Sequence, residues 1–511
     1  MCKTNNSKNL SAFLRKWQGG VLLGAVALLM TACAADGYDD DERYTSNVTG
    51  SSLTSPKVES IKVSPSADGK SQTITWDVVK GAEGYLFSFY DMGNPDEPIV
   101  KDSLIDGCTV TVKREEDMNY RIDLRTAGNA KLNNAEAPET TQYTFSTFTA
   151  TYKTIPAGSD LNEWFAANPL PADSIGVNLN YDLEAGGQYT LSGTLDFNVN
   201  AVTLRSTSKV NHATINFTGE ATINFAAPFN MKYVDVDCTA QEISSTNHGI
   251  FAFSKDPSAA PIGTEIDAKY KWEKPMIEKP VTFVNSNFKN VRSYFFWDHQ
   301  QTVCIMTMLI DNCVVQLAPE KDFAGGVFWT NKGSDNNGSH INELYITNST
   351  FYELPDCEHD YKYFYQAGMK RGEDIYADKN VATNTVSYTN STFYHVTWNG
   401  GQWGNYNGMG GRSYAIWVMT DCIFVDCSPS GVPRRFLHGK KNQSHVTFNN
   451  NTYMKADGTF HDIQSDGSHE YDLSGTVIEE DPQFANPAIG DFHISGATQI
   501  ARKTGDPRWL P

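Results

Sequence analysis

Positive charge, cysteine and long apolar runs are all scarce in this chain. Against 60 Asp and Glu stand 41 Lys and Arg, and four of those (Lys3, Lys8, Arg15 and Lys16) fall in residues 1–32, which hold no acid. That leaves 37 basic residues and a net charge of −23 for residues 33–511. A chain so acidic lacks the basic footprint that nucleic acid demands, and anionic lipid does not attract it. Cysteine is thin. Beyond Cys2 and Cys33 an odd seven remain: Cys108, Cys238, Cys304, Cys313, Cys357, Cys422 and Cys427. No spacing matches a zinc site, although Cys422 and Cys427 are close enough in sequence to pair in an oxidising compartment. No apolar stretch reaches the about 20 residues of a membrane helix. Helical periodicity is scarce as well, whereas aromatics make up 12% of the chain. This is an all-β composition.

The first 32 residues are organised differently. A basic segment precedes the apolar run Gly20 to Met30, the layout of a secretory signal. The run ends in Leu29-Met30-Thr31-Ala32-Cys33, which resembles the lipobox of bacterial lipoproteins. The resemblance implies removal of 1–32 and lipidation of Cys33, hence a membrane anchor. The acidic run Asp36 to Glu42 resembles the surface-export signal of Bacteroidota lipoproteins, which implies an outer-membrane site facing the exterior; a solvated acidic linker has the same composition. Residues 43–57, rich in Ser and Thr, read as a flexible spacer, so that 33–57 form a lipidated linker.

Residues 58–150 give short strand-like runs between turn clusters: Ile74-Thr75-Trp76-Asp77, Tyr85 to Tyr90, Val110-Thr111-Val112, Tyr120 to Arg125 and Tyr143-Thr144-Phe145. The spacing predicts a β-sandwich. Ile74-Thr75-Trp76-Asp77 followed by Gly81-Ala82-Glu83-Gly84-Tyr85 is similar to the B–C region of fibronectin type III domains, and Tyr120 to Arg125 to their F strand. The resemblance implies that Trp76 is a core anchor and the domain a spacer.

From about residue 158 a motif recurs: apolar, any, Asn/Asp, Ser/Cys, any, apolar. It is present at Asn285-Ser286, Asn312-Cys313, Asn348-Ser349, Asn390-Ser391, Asp421-Cys422 and Asn450-Asn451, 27 to 42 residues apart, with a weaker copy at Asp237-Cys238. Asn and Asp tolerate the left-handed backbone conformation. Repeated once per coil, they turn the chain tightly and let their side chains bond one another along the stack. Ser and Cys are nearly the same size, as a buried column of small side chains requires. A constant motif with variable loops predicts a parallel β-helix over 158–511, with Cys238, Cys313 and Cys422 in its core. A short helix at 161–168, N-capped by Asp160, is placed to close its open end. Leu183 to Leu191 resembles the first coils of pectate-lyase-like right-handed β-helix proteins. Asp481-Pro482-Gln483-Phe484, Gly490 to Ile494 and Gly505 to Leu510 resemble the ending of a group of Bacteroidota lipoproteins in which such a helix follows a fibronectin-like domain. Those often belong to polysaccharide-utilisation systems, which implies polysaccharide and outer-membrane glycan transport proteins as partners.

Two chemistries are weighed for this architecture. Sugar binding uses flat aromatic faces with polar tips, and two Gly- and Tyr-rich insertions supply Tyr363, Tyr365, Trp398, Trp403 and Tyr406. A polysaccharide lyase instead needs carboxylates, usually holding calcium, and a basic residue to remove a proton. The late basic residues Arg412, Arg434 and Lys440 are its candidate bases. Asp356, Glu358 and Asp360 beside His359 are its acidic candidates, without the EF-hand spacing. Trp297-Asp298-His299 resembles the Trp-x-Asp-His signature of pectate lyases but lacks the intervening residue, and loop roles are expected for Asp298 and His299. With no complete catalytic set, glycan binding leads, and a lyase or an adhesin are the alternatives.

Overall fold

The computed structural model describes residues 48–511 except 67–70, 244–247, 257–269, 273–274, 321–324, 331–338, 368–375, 379–382, 406–411, 437–443 and 462–471. The lipobox and acidic run lie outside the described residues. The chain divides into two compact units at Phe148/Thr149.

The first unit is two antiparallel sheets on one core. One has three strands, with Ser71–Thr75 between Lys62–Pro65 and Thr109–Lys113; the other runs Val100–Ile105, Gly84–Asp91, Asn119–Ala127, Thr141–Ser146. In Asn119–Ala127 the residues Tyr120, Ile122 and Leu124 are buried while Arg121, Asp123 and Arg125 stay part-exposed. That two-residue period fixes which face packs. Trp76 is buried between Tyr85, edge-on at 5.3 Å, and Phe87, stacked at 6.4 Å. The expected spacer is shorter than its composition suggests, because residues 48–57 belong to this unit. Leu53 is buried, Gly50 and Leu53 donate to the Leu132 and Ala135 carbonyls, and Ser51 donates to Asn134 Oδ1 at 3.0 Å. Polar side chains do not keep a segment loose when its backbone is bonded.

The second unit is built of three long parallel sheets, to which successive coils contribute strands in turn. Among the described residues, nine strands run from Gln188–Leu191 to Thr452–Met454, seven from Thr194–Asp196 to Gln402–Asn405, and eleven include Lys153–Ile155 and His445–Asn449. The unit is β-helix-like and all-β apart from short helices. Helix Leu161–Ala167 is capped by Asp160, whose side chain accepts from the Glu163 N–H at 3.0 Å. It sets Phe165 against Tyr181 and Phe197 on the first coil.

The repeated Asn/Asp is the left-handed residue of each coil: φ is 51° at Asn285, 52° at Asn312, 48° at Asn348, 47° at Asn390, 56° at Asp421 and 53° at Asn450. Each of the first five donates its N–H to the residue before the next coil's turn, as Asn348 does to Thr389 at 3.1 Å. Side chains continue the ladder in part. Asn312 donates to Asn285 Oδ1, and Asn348 and Asn450 donate to Asp311 and Asp421 at 2.8 and 2.9 Å. Just inside, the small residues bond along the stack: Cys313 N to Ser349 Oγ, Ser349 N to Ser391 Oγ and Cys422 N to Asn451 Oδ1. Cys313 and Cys422 are fully buried free thiols, and Cys427 is free too, so the Cys422–Cys427 pairing is not made. Asp237-Cys238 is out of register. Its coil turns at Tyr233, φ 58°, and Val234 takes the small-residue position, donating to Ser286 Oγ. Cys238 is nonetheless core. Phe351, Phe393, Phe424 and Tyr453 stack from coil to coil with centroids 4.9 to 5.9 Å apart, close to the ~4.8 Å between paired strands.

The C-terminal segment is a strap. Gly505 N donates to Asp421 O, Asp506 N to Thr392 Oγ1, Trp509 Nε1 to Thr350 Oγ1 at 2.7 Å, and Arg508 to the Asn312 carbonyl at 2.9 Å. It thus bonds to four coils. Phe484, Ile494, Ile500 and Trp509 cover the outward Tyr394, Ile423 and Val425 of the nine-stranded sheet.

Candidate functional site

The expected sugar-stacking aromatics separate. Trp403 is fully buried. It lies in Gln402–Asn405, which pairs with Tyr363–Ala367, and stacks on Phe364 at 4.4 Å and 12°. Tyr365 is fully buried beside Thr330. Neither ring can meet a glycan. Glycine-rich surroundings suggested exposure, but strand pairing turned both rings inward. Tyr363 and Trp398 are half-buried, and Tyr406 lies outside the described residues. Of the basic candidates, Lys440 lies outside the described residues, Arg412 is exposed, and Arg434 is half-buried in the turn Pro433–Arg435. Asp356 and Glu358 are exposed, and among the described residues no three His, Cys, Asp or Glu are arranged to hold a metal ion. They therefore do not form a calcium set. Asp298 stabilises a turn, accepting from Gln300 N at 2.9 Å and Ser339 Oγ at 2.7 Å, and His299 Nδ1 bonds the Phe253 carbonyl. These are the loop roles expected of them.

Tyr363 joins a group of rings that sequence reasoning missed. On the seven-stranded sheet, Tyr294 lies 6.1 Å from Trp297 and 5.4 Å from Trp329, and Trp329 lies 6.5 Å from Tyr363. Trp329 and Tyr363 are half-buried, and Trp297 is 8% exposed. Small residues in register make room. Gly249 pairs with Tyr294, Ala252 with Trp297 and Gly326 with Tyr363. A Cβ on Gly249 would stand 2.8 Å from the Trp297 Cβ, so that coil needs glycine. Beyond Trp329 the same register position carries Gln366 and Asn405, joined by a 3.0 Å hydrogen bond. A row of flat rings continuing into amides is the surface chemistry that sugars use.

A second group occupies the corner between the nine- and seven-stranded sheets. Glu353 ends the strand Thr350–Glu353, and His395 and Asp426 directly follow the strands Thr392–Tyr394 and Ile423–Val425 of the next two coils. Their register was legible, since each stands five residues after a ladder residue, Asn348, Asn390 and Asp421. His395 Nδ1 bonds Asp426 Oδ2 at 2.5 Å and its ring stacks on Trp398 at 4.6 Å and 9°. Trp398 Nε1 donates to Glu353 Oε2 at 3.1 Å, so this ring is held at the corner by two partners. Asp360 Oδ2 accepts from Asn399 N at 2.7 Å. Burial pushes the Asp360 carboxyl up to about 6, against the lowering pull of the Asn399 N–H. Burial also raises Glu353 well above the usual carboxylate range, and the Asp360 charge adds to that.

Comparison with known families gives three matches, each to a domain of unknown function: DUF4992 over residues 6–186, DUF4957 over 187–354 and DUF5123 over 308–509. The boundaries between matches fall inside the second unit rather than between the two units. No curated protein matches the chain.

Proposed function

We propose that this chain is a surface glycan-binding lipoprotein, anchored through Cys33, whose sugar platform is the half-buried pair Trp329 and Tyr363, backed by the buried Tyr294 and Trp297. The aromatic row carries the reading: two half-buried rings 6.5 Å apart, close enough to stack on successive sugars, on a different sheet from the one the C-terminal strap covers. Each ring–sugar contact of this kind contributes on the order of 1 kcal/mol. The first unit is read as fibronectin type III-like and as a spacer. Its three- and four-stranded sheets and the buried Trp76 support that reading. The second is read as a right-handed parallel β-helix, because crossovers between parallel strands are right-handed in nearly all cases.

Affinity electrophoresis of the chain without its lipid, residues 34–511, against plant and host polysaccharides tests the binding. Retardation on one glycan without release of product is the expected result. Trp329→Ala and Tyr363→Ala should each weaken it by about five- to tenfold, the equivalent of ~1 kcal/mol. New unsaturated ends absorbing in the ultraviolet would instead establish the lyase, with Arg412, Arg434 and Lys440 the residues to replace. For the anchor, Cys33→Ser should move the protein from the membrane to the soluble fraction; retention at the membrane would refute lipidation there.

A further inference from the structure

Away from the aromatic row and the corner, a small cluster of sulfurs sits on the eleven-stranded sheet, separate from the main core. Met276, Cys304 and Met306 are buried together with Tyr270 and Trp272, and Tyr376 packs against them. Strand register places them. Met276 pairs with Cys304, and Ile277 with Ile305. Ile277 and Ile305 belong to the main core, so their alternating neighbours Met276 and Cys304 point away from it. Met306 joins them on that side, and the Cys304 thiol donates to its thioether at 3.7 Å. On the next strand His340 pairs with Cys304 and is held through Nε2 by the Asn384 amide at 2.7 Å. Two insertions make the cover. The Pro275 carbonyl accepts from the Trp272 indole at 3.2 Å and from the Cys304 N–H at 3.1 Å, which ties that ring to the strand of the cysteine. Tyr376 comes from a later insertion; its ring lies 5.5 Å from Tyr270 and its hydroxyl accepts from Asn342 at 3.4 Å.

Among the described residues no three His, Cys, Asp or Glu converge on a metal, but thioethers are ligands too, and they discriminate. Thiolate and thioether sulfurs are soft donors that select Cu(I), whereas hard cations take oxygen. The geometry suits one shared ion. Two sulfurs each about 2.3 Å from a metal stand roughly 3.8 to 4.0 Å apart at tetrahedral to trigonal angles, and Cys304 and Met306 already stand 3.7 Å apart. Met276 occupies the paired position one strand over, ~4.8 Å away across the sheet. Charge points the same way. Burial pushes the Cys304 thiol up, because a bare thiolate finds no water there. A monovalent ion that replaces the thiol proton leaves the site neutral, whereas Zn(II) would strand a positive charge among rings and thioethers.

We propose that Met276, Cys304 and Met306 form a three-sulfur binding site for Cu(I). Binding breaks the Cys304 S–H bond, forms an S–Cu bond and releases one proton to solvent. The two thioethers each donate a lone pair. Copper enters as Cu(I), so no oxidant or reductant takes part. The site lies on a different sheet from the aromatic row, goes beyond glycan binding and does not depend on it.

The test uses the chain without its lipid, residues 34–511, reduced and free of oxygen. Cu(I) is supplied as its bicinchoninate complex, whose colour fades as the protein takes the metal. The wild type should withdraw one equivalent and release one proton, and copper X-ray absorption should show sulfur neighbours alone. Cys304→Ser should weaken the affinity about a hundredfold, and the volume-conserving Met276→Leu and Met306→Leu about tenfold each. Cys108 and Cys357 are the half-buried thiols, so the double variant Cys108→Ser/Cys357→Ser measures background uptake and should keep the whole effect. A ligand that binds only the folded chain stabilises it. Cu(I) should therefore raise the unfolding temperature of the wild type and not that of Cys304→Ser. If Cys304→Ser fails to fold, the two leucine variants carry the test. No uptake by the wild type overturns the proposal and leaves the three sulfurs as packing. Uptake unchanged in Cys304→Ser, or in both leucine variants, overturns it too, as does Zn(II) displacing Cu(I) on equal terms.

Discussion

Trp403→Ala is expected to lower the stability of the second unit by about 3–5 kcal/mol and to leave glycan retention per folded molecule unchanged. The indole is fully buried and is enclosed by rings on four sides: Phe364 stacked at 4.4 Å, Phe393 edge-on at 5.1 Å, Phe424 at 5.3 Å and Tyr388 at 6.0 Å. These belong to strands of all three sheets, so alanine leaves a cavity that no single strand can close by shifting. Phe393 and Phe424 also belong to the coil-to-coil stack, which transmits the loss to both neighbouring coils. The Nε1 donor has no partner, and an unpaired buried N–H costs about 1–3 kcal/mol. Trp403→Phe therefore loses volume but also removes that penalty, and should cost much less than alanine. Urea unfolding gives the stabilities, and affinity electrophoresis below the transition gives the retention. A stable Trp403→Ala protein that no longer binds glycan would return this ring to the binding surface. Trp329→Ala is the mirror case, with binding weakened and stability changed little.

The contrast between those two tryptophans shows what the sequence could reveal. The β-helix-like stacking of coils was legible because its signal is periodic and local. An Asn or Asp that must turn left and a small residue that must fit a column recur in every coil from Asn285 onward, whatever the loop lengths. Burial of particular rings was not legible, because Gln402–Asn405 looks like a glycine-rich loop until its pairing with Tyr363–Ala367 is known. The aromatic row was hidden for the opposite reason. Tyr294-Phe295-Phe296-Trp297 is a continuous apolar run, buried along its length, and such a run carries no alternation to tell an inward ring from an outward one. The corner lay between these extremes. Counting five residues on from Asn348, Asn390 and Asp421 aligns Glu353, His395 and Asp426, but the count becomes meaningful only once the ladder residues are known to be in register. Asp360 and Trp398, which complete the corner, come from turns of different length, and no period finds them.

The ladder itself makes the second large prediction. Asn348→Val should cost about 3 kcal/mol, and Asn348→Gly about 1 kcal/mol, the difference being backbone alone. At φ 48° an L-residue is strained by roughly 1–2 kcal/mol; asparagine offsets this with local bonding, glycine has no such strain, and a β-branched side chain bears it in full. Both substitutions lose the 2.8 Å bond from Nδ2 to Asp311 Oδ1, a bond to a carboxylate in a half-exposed position, with a net value of about 1 kcal/mol. Only valine adds the backbone strain. Because each coil of a solenoid contacts chiefly its neighbours, the damage should be local. Hydrogen exchange should quicken first in the strands that flank this turn, His340–Thr347 and Thr350–Glu353, and in the coil bonded through Asn348 N to Thr389 O, while the helix-capped first coils keep their protection. Equal losses for glycine and valine would mean that the asparagine is kept for its side-chain bond and not for its turn. A uniform rise in exchange across the second unit would mean that the coils unfold as one cooperative block.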